Sequence, residues 1–284
     1  MICLVSIEHE SWFENPENRT AHLAHCMDVK VKVEEMTGRP CLVQRYHDVT
    51  YRRLKDLGIA ALLISGNATG WHHYAPSDLA HLYDIIRAAE WPILGFCGGH
   101  QLIAMAHGSQ VAPMRHLRPG EPDITTLSAP GYLKEWGFMP VDVVEADPIL
   151  DGLGVSPVFL QVHHCEIKDL PAGFRILASS KDCRIQMMRQ IDQPIYSTQF
   201  HLESYTETAY DRRNPLVNLV YPDGYPEARP AGRDLLANFL RIAGILARSR
   251  PVDPAGATRS QHEGTVPAKI VELDTPVIHR STRE

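Results

Sequence analysis

At residues 95–101 the chain reads Gly95-Phe96-Cys97-Gly98-Gly99-His100-Gln101, between the apolar segments 91–94 and 102–106. This order predicts a buried strand, a very tight turn that carries Cys97, and a helix that begins at once. Glycines two before and two after the cysteine remove the Cβ atoms that would collide in such a turn. A thiol at a helix N-terminus meets unpaired N–H groups and the positive end of the helix dipole, which favours the thiolate. We therefore predict that Cys97 is a nucleophile; the alternative is a buried structural cysteine.

A second pattern supplies a base for this thiol. Residues 194–200, Pro-Ile-Tyr-Ser-Thr-Gln-Phe, have the composition of a strand and run directly into His201-Leu202-Glu203. Residues two apart on an extended chain point to the same side, so His201 and Glu203 share a face. A carboxylate beside an imidazole holds its tautomer and stabilises the imidazolium. His-x-Glu alone is more typical of a solvated strand end, but together with the cysteine turn it predicts a triad.

These two motifs resemble those of the class I (triad) glutamine amidotransferases, whose turn reads G-x-C-x-G-x-Q and whose base motif is usually H-P-E. Further stretches fall in the family's order, namely residues 62–67, 135–137, 162–166, 169–174 and 177–180. The resemblance covers residues 1–203 and a final helix, and the ordered series is far more specific than any single motif. It implies that Cys97 is the nucleophile, His201 the base and Glu203 the orienting acid.

The resemblance also implies which residues bind the substrate. Gln101 falls on the family's glutamine-contacting position, and Gly66 lies in the glycine loop that precedes the cysteine turn. His163 and His164 fall where the family places a loop close to the glutamine α-groups. We expect these four residues to border the substrate, with surface histidines as the alternative for the last two.

Two departures concern the oxyanion hole and the base motif. The family's loop usually reads Gly-Gly-Pro or Asn-Gly-Pro and supplies one oxyanion N–H, whereas residues 65–70 read Ser-Gly-Asn-Ala-Thr-Gly. Asn67 occupies the donor position, and Gly98 supplies the second donor. Asparagine tolerates left-handed backbone angles, so the Asn67 donor is expected to survive. Leu202 replaces the proline of the base motif and leaves its two neighbours intact.

The implied activity is hydrolysis of the glutamine side-chain amide through a cysteine thioester, which gives glutamate and ammonia. In the family, ammonia passes to a synthase domain or subunit. The chain has no P-loop pattern and no Ser-Gly-Gly-x-Asp-Ser signature, so an acceptor enzyme is expected either to be a separate synthase subunit or to be absent. Two alternatives stay open: a hydrolase of γ-glutamyl peptides or conjugates, and a non-catalytic regulatory or binding member of the family.

Composition favours a cytoplasmic globular enzyme. The 284 residues carry a net charge of −6 without a basic tract, which argues against nucleic acid as a partner. The six cysteines are spread widely in a chain that is 44% hydrophobic, so we expect reduced thiols. Residues 1–7 read as a first strand and not as a signal peptide, and no stretch approaches a membrane span.

Histidine-rich stretches raise the question of a metal. The pair His72-His73 and the run His163-His164-Cys165 contain ligand-type atoms. Adjacent residues on a strand point to opposite faces, so each stretch offers at most one or two ligands to a common site. We expect no metal and no cofactor.

Alternating patterns predict an α/β fold with a mostly parallel central sheet flanked by helices, flavodoxin-like, with antiparallel edge strands. The predicted strands are 2–7, 40–44, 60–65, 93–96, 139–144, 158–163, 175–179, 183–189 and 195–200. The predicted helices are 20–36, with an apolar stripe at Leu23, Met27 and Val31, then 77–89, 101–107 and 233–247. The family-like domain is expected to span residues 1–247, with insertions at 113–131 and 205–232. Residues 248–284 read as a flexible or arm-like tail.

Overall fold

A central sheet of eight strands organises the part of the chain that the computed structural model describes, residues 1–124, 129–205 and 231–247. The strands are β1 Ile2–Ser6, β2 Cys41–Arg45, β3 Ala61–Ile64, β4 Ile93–Phe96, β5 Val111–Pro113, β6 Glu135–Pro140, β7 Asp142–Val143, β8 Val158–His163, β9 Cys165–Ile167, β10 Phe174–Ser179, β11 Met187–Gln190 and β12 Ile195–Thr198. The helices are α1 Pro16–Thr37, α2 Tyr51–Asp56, α3 Pro76–Ala88, α4 Gly98–Ala106 and α5 Ala231–Ile242.

The order of strands in the sheet is β2-β1-β3-β4-β12-β11-β10-β7. In this order the first five strands, from β2 to β12, are mutually parallel. β11, β10 and β7 add antiparallel pairs at one edge. Two further antiparallel pairs, β5 with β9 and β6 with β8, lie outside this sheet. The predicted fold class, a mostly parallel sheet with antiparallel edge strands, is confirmed.

Both faces of the sheet are covered, which explains why the central strands are apolar along their whole length. On one face, Leu4 and Phe96 belong to a cluster that includes Val33 of α1 and Phe239 of α5. On the other face, strand residues join residues of α3 and α4, such as Leu82 and Leu102. The carboxyl edge of the sheet is where ligands bind in folds of this kind, so that edge is the first place to look for a site.

The apolar stripe predicted on the first helix was assigned to the wrong face. Leu23, Met27 and Val31 are exposed by 52%, 50% and 44%, while Val29 and Val33 of the same helix are buried. Both sets recur at helical spacing, so periodicity alone cannot choose between them. The helix also starts earlier than predicted, because the Asn15 side chain accepts hydrogen bonds from the N–H groups of the first turn.

Other differences concern short or irregular elements. The strand predicted over 139–144 is divided between β6 and β7, and the one predicted over 183–189 begins only at Met187. α2, β5 and β9 were not predicted, because three to six residues are too few to show periodicity and these elements lack the apolar runs that marked the short strands β3 and β4. Most of the insertion at 205–232 and the tail at 248–284 lie outside the described residues. None of the described helices has the length and hydropathy that crossing a membrane requires.

Candidate active site

The cysteine turn has the geometry of a nucleophile elbow. Cys97 lies between β4 and α4 with φ 52° and ψ −110°, a conformation that is strained for a residue with a side chain. A Cβ on Gly95 would lie 2.6 Å from the Gly99 carbonyl oxygen, and one on Gly99 would lie 2.3 Å from the Ile64 carbonyl oxygen. The glycines are therefore required by close backbone approach, as the sequence predicts.

Sheet order brings His201 to the cysteine. β12 is the parallel neighbour of β4, and the Cys97 N–H donates to the Thr198 carbonyl at 2.8 Å. The polypeptide then continues to His201, whose N–H donates to the Leu160 carbonyl at 2.9 Å. A Cβ on Gly66 would lie 3.6 Å from the Cys97 sulfur and 3.4 Å from Cε1 of His201. The thiol and the imidazole therefore lie together against the same glycine.

Glu203 orients the imidazole. Its Oε1 is 2.7 Å from Nδ1 of His201, and an ionised carboxylate only accepts, so Nδ1 carries the proton and Nε2 is left for the thiol. Burial lowers the pKa of His201, but the charges of Glu203 and Cys97 raise it by a larger amount. The pKa of His201 is therefore well above 6.5. Burial raises the pKa of Glu203, but His201 and His25 lower it more, to about 2. Both groups are therefore held in their charged forms.

Helix α1 adds two contacts to Glu203 that no sequence motif predicts. His25 Nε2 lies 3.5 Å from Glu203 Oε1, and the Lys32 ammonium donates to the Glu203 carbonyl at 2.8 Å. Oε2 of Glu203 has no hydrogen-bond partner within the described ranges. The sequence gives no local signal for these contacts, because Lys32 and Glu203 are 171 positions apart.

The two residues predicted to form the oxyanion hole face each other beside the thiol. A Cβ on Gly98 would lie 1.8 Å from Oδ1 and 2.9 Å from the backbone nitrogen of Asn67. The Asn67 side chain donates to the Thr69 carbonyl at 2.6 Å, within its own loop. Asn67 does not adopt a positive φ, so its tolerance of left-handed angles is not used.

A cavity of about 900 Å³ opens beside the cysteine. Most of the residues predicted to form the site line it, namely Cys97, His201, Gly66, Asn67, His163 and His164. Its remaining walls include α1 residues such as His22, His25 and Asp28, together with Glu8 and Trp136. The cavity therefore exposes the thiol and the imidazole to a ligand.

Gln101 lies away from that cavity wall. Its side-chain oxygen accepts from the Trp71 indole at 2.6 Å, and its amide nitrogen donates to the Cys165 carbonyl and to Gln199. The residue is 5% exposed. These contacts give Gln101 a role in fixing α4 against the neighbouring segments, and its contact with the substrate stays a prediction.

His163 is committed to a buried polar network. Its Nε2 lies 2.8 Å from Glu135 and its Nδ1 lies 3.0 Å from the Cys165 carbonyl, so neither nitrogen is free for a ligand. Glu135, His163 and Cys183 have the donor types of a metal site, with ligand atoms within 4.8 Å of one another. Both oxygens of Glu135 already accept hydrogen bonds, from Ser180 Oγ at 2.6 Å and from Gln186 Nε2 at 2.5 Å, and the Cys183 thiol donates to the Ile185 carbonyl at 3.8 Å. The set therefore fits a hydrogen-bonded network better than a metal site.

His164 differs from its neighbour in both burial and contacts. Its ring lines the cavity, and burial, followed by the charges of His163 and Lys134, lowers its pKa below 6.5. The imidazole is therefore neutral at pH 7. That leaves His164 better placed than His163 for a substrate contact.

The family model "Glutamine amidotransferase class-I" matches residues 30–214, more than half of the chain. The chain belongs to this family. It is 35% identical over 161 residues to the glutamine-hydrolysing GMP synthase subunit of Methanosarcina barkeri, covering 56% of this chain and 64% of the relative. The corresponding protein of Methanothermobacter thermautotrophicus is 36% identical over 120 residues, 42% of this chain and 55% of the relative. The chain thus spans less than two thirds of the length of these curated relatives.

A solved structure shows the same fold. A glutamine amidotransferase from Thermotoga maritima aligns with a TM-score of 0.58 at 15% identity, over 85% of this chain and 97% of the other. Identity at that level supports the architecture and nothing finer.

Proposed function

We propose that this protein hydrolyses the side-chain amide of glutamine through a thioester on Cys97. The support is that Cys97 and His201 lie on the wall of one cavity with Glu203 bound to the imidazole, in a chain of the class-I glutamine amidotransferase family. An intact arrangement of this kind disfavours the non-catalytic alternative, since a regulatory domain does not need a strained cysteine beside an oriented imidazole.

In the proposed reaction the Cys97 thiolate attacks the carboxamide carbon, and the N–H groups of Gly98 and Asn67 stabilise the oxyanion. Each such donor contributes about 3 kcal/mol in comparable enzymes. The His201 imidazolium gives its proton to the departing ammonia and leaves a γ-glutamyl thioester. The neutral imidazole then takes a proton from a water molecule, which cleaves the thioester to glutamate. Glu203 holds the ring throughout.

The ammonia is proposed to pass to a separate synthase subunit. Support comes from the names of the two curated relatives, which are subunits of a glutamine-hydrolysing GMP synthase. The binding site for the compound that accepts the ammonia is proposed to lie on that subunit.

A second candidate substrate is a γ-glutamyl peptide or conjugate. A cavity of about 900 Å³ is at the upper end of the range for small-molecule sites and is much larger than glutamine needs. The same thiolate chemistry would release an amine instead of ammonia.

The test compares ammonia release from glutamine with glutamate release from γ-glutamyl dipeptides. A Cys97→Ser variant is the matched control, and labelling of Cys97 by a diazoketone analogue of glutamine is followed by intact mass. Labelling together with ammonia release supports the glutaminase. Faster turnover of the dipeptides favours the second candidate. A chain that is neither labelled nor active on either substrate contradicts both.

A further inference from the structure

Glu8 is a buried carboxylate at the carboxyl edge of the sheet, two residues beyond β1. It is 1% exposed, and it belongs to no sequence motif of the site. Its Oε2 accepts from the Ala68 N–H at 2.6 Å, and its Oε1 accepts from the N–H groups of Thr69 at 3.1 Å and His9 at 3.0 Å. One side chain therefore binds two consecutive N–H groups of a loop that lies about 60 positions away in sequence.

That loop carries the proposed oxyanion donor Asn67. It lacks the proline that stiffens the corresponding loop in the family, and Ala68 stands directly after the donor. A carboxylate bound to the next two N–H groups restrains the backbone there by a different means. Other contacts between the loop and the end of β1 act in the same direction: Ser65 Oγ accepts from the Ile7 N–H at 3.1 Å.

We propose that Glu8 is a positioning residue that fixes the 65–70 loop so that the Asn67 N–H points at the developing oxyanion. The inference rests on the proposed glutamine hydrolysis for its catalytic meaning, but the anchoring of the loop does not. Hydrogen bonds from N–H groups to a carboxylate are roughly twice as strong as neutral ones. Three of them also compensate the cost of burying the charge.

The nearest competing role for Glu8 is direct binding of the substrate's α-ammonium, because Glu8 also lines the cavity. The two roles differ in kinetics. Loss of an oxyanion-positioning group removes an interaction made only in the transition state, which lowers kcat with little change in KM. Loss of a substrate-binding carboxylate raises KM.

The test uses Glu8→Gln in the full chain, with Glu10→Gln as the matched control. Glutamine has the same shape but offers one carbonyl oxygen and a donor amide, so one loop N–H loses its acceptor. Glu10 is two residues away with a side chain that is 55% exposed. We expect Glu8→Gln to lower kcat by about 10- to 100-fold with KM within about twofold, and Glu10→Gln to change neither.

Two binding measurements separate the oxyanion site from the substrate site. Glutamate γ-semialdehyde adds to the thiol and forms a tetrahedral oxyanion, whereas the product glutamate does not. We expect Glu8→Gln to weaken binding of the semialdehyde by more than about tenfold and binding of glutamate by less than about twofold. Equal weakening of both ligands, or of neither, overturns the proposal.

Amide hydrogen exchange of the peptide that contains residues 66–70 tests the anchor without any activity. We expect exchange in Glu8→Gln to rise by about tenfold or more there while peptides of α3 stay unchanged. If exchange in the loop is faster in Glu8→Gln but the wild type does not hydrolyse glutamine, Glu8 still anchors the loop and the proposed glutaminase activity is wrong. Unchanged exchange in the loop refutes the anchor itself, whatever the activity.

Discussion

The Glu203→Gln variant removes the charge of the third member of the proposed triad and keeps its shape. The carboxylate is 1% exposed and lies 2.7 Å from the protonated Nδ1 of His201. An amide in that place can turn its NH₂ group toward Nδ1, and this favours the tautomer in which Nε2 carries the proton and cannot accept one from the thiol. Because Glu203 is the largest influence that raises the pKa of His201, its neutralisation lowers that pKa.

The size of the effect follows from a comparable change. Asp→Asn in a serine-protease triad lowers kcat by about 10⁴, which is about 5 kcal/mol of transition-state stabilisation. A thiol needs less help from its base than a hydroxyl does, so we expect Glu203→Gln to lower kcat by about 10²- to 10⁴-fold. The free energy of unfolding should change by less than the activation free energy of turnover does, because the buried charge disappears together with its hydrogen bonds.

The assay follows steady-state ammonia release from glutamine and the rate of Cys97 alkylation by iodoacetamide, both as a function of pH. In the wild type the raised pKa of His201 keeps a cation beside Cys97 at neutral pH, and this support makes alkylation fast. In the variant the pKa of His201 is lower, so this support ends at a lower pH. Alkylation of Cys97 at neutral pH therefore slows. Glu90→Gln, an exposed carboxylate paired with Lys55, is the control. A kcat within about threefold of wild type, with an unchanged alkylation profile, refutes the reasoning.

Four further outcomes follow from the same geometry. Cys97→Ser should abolish turnover and leave the unfolding transition nearly unchanged, and retained activity would show that another group is the nucleophile. His201→Asn should slow alkylation of the cysteine at neutral pH, measured by intact mass, and an unchanged rate would contradict the pairing. Burial lowers the pKa of His100 to about 3, so stability should fall as the pH drops from about 6.5 toward 3, by up to about 1.4 kcal/mol per unit; His100→Gln should flatten this slope in urea titrations at a series of pH values. Gly99→Ala places a Cβ 2.3 Å from the Ile64 carbonyl oxygen, so it should lower both activity and melting temperature, and a wild-type melting curve would refute the close approach.

The sequence predicts best where function forces unusual residues into a short segment. The cysteine turn could be predicted because its glycines are demanded by backbone contacts within a few residues and with one neighbouring strand. The pairing of Cys97 with His201 could not be derived from periodicity, since nothing local says that β12 inserts beside β4. It was inferred by combining the His-x-Glu motif at a strand end with the cysteine turn, and the resemblance agreed with it; the parallel register between β4 and β12 supplies the physical reason.

The site contacts that the sequence does not predict have a common cause, because they join residues that are distant in sequence. Glu8, His25 and Lys32 reach the loop or the triad from elements far away in the chain, and none belongs to a motif. The exposed stripe of α1 was misassigned for a related reason. Two apolar rows satisfy helical periodicity, and only the sheet decides which row is buried.

The order of strands in the sheet explains how the site is assembled. β1, β3, β4 and β12 are consecutive neighbours, all parallel, so their carboxyl ends form a row. Along that row Glu8 binds the loop after β3, Asn67 of that loop faces Gly98, and Cys97 meets His201. The contacts between groups on different strands therefore depend on which strands are neighbours in the sheet, while the local turn around Cys97 and the contact of His201 with Glu203 fix the individual side chains. A shift of β3 or β4 along its axis by a single residue would separate two of these contacts at once, and a shift of β1 or β12 would separate one, because parallel strands advance about 3.3 Å per residue. The constraint that keeps the sheet in register is therefore the same one that keeps the proposed triad and oxyanion hole together.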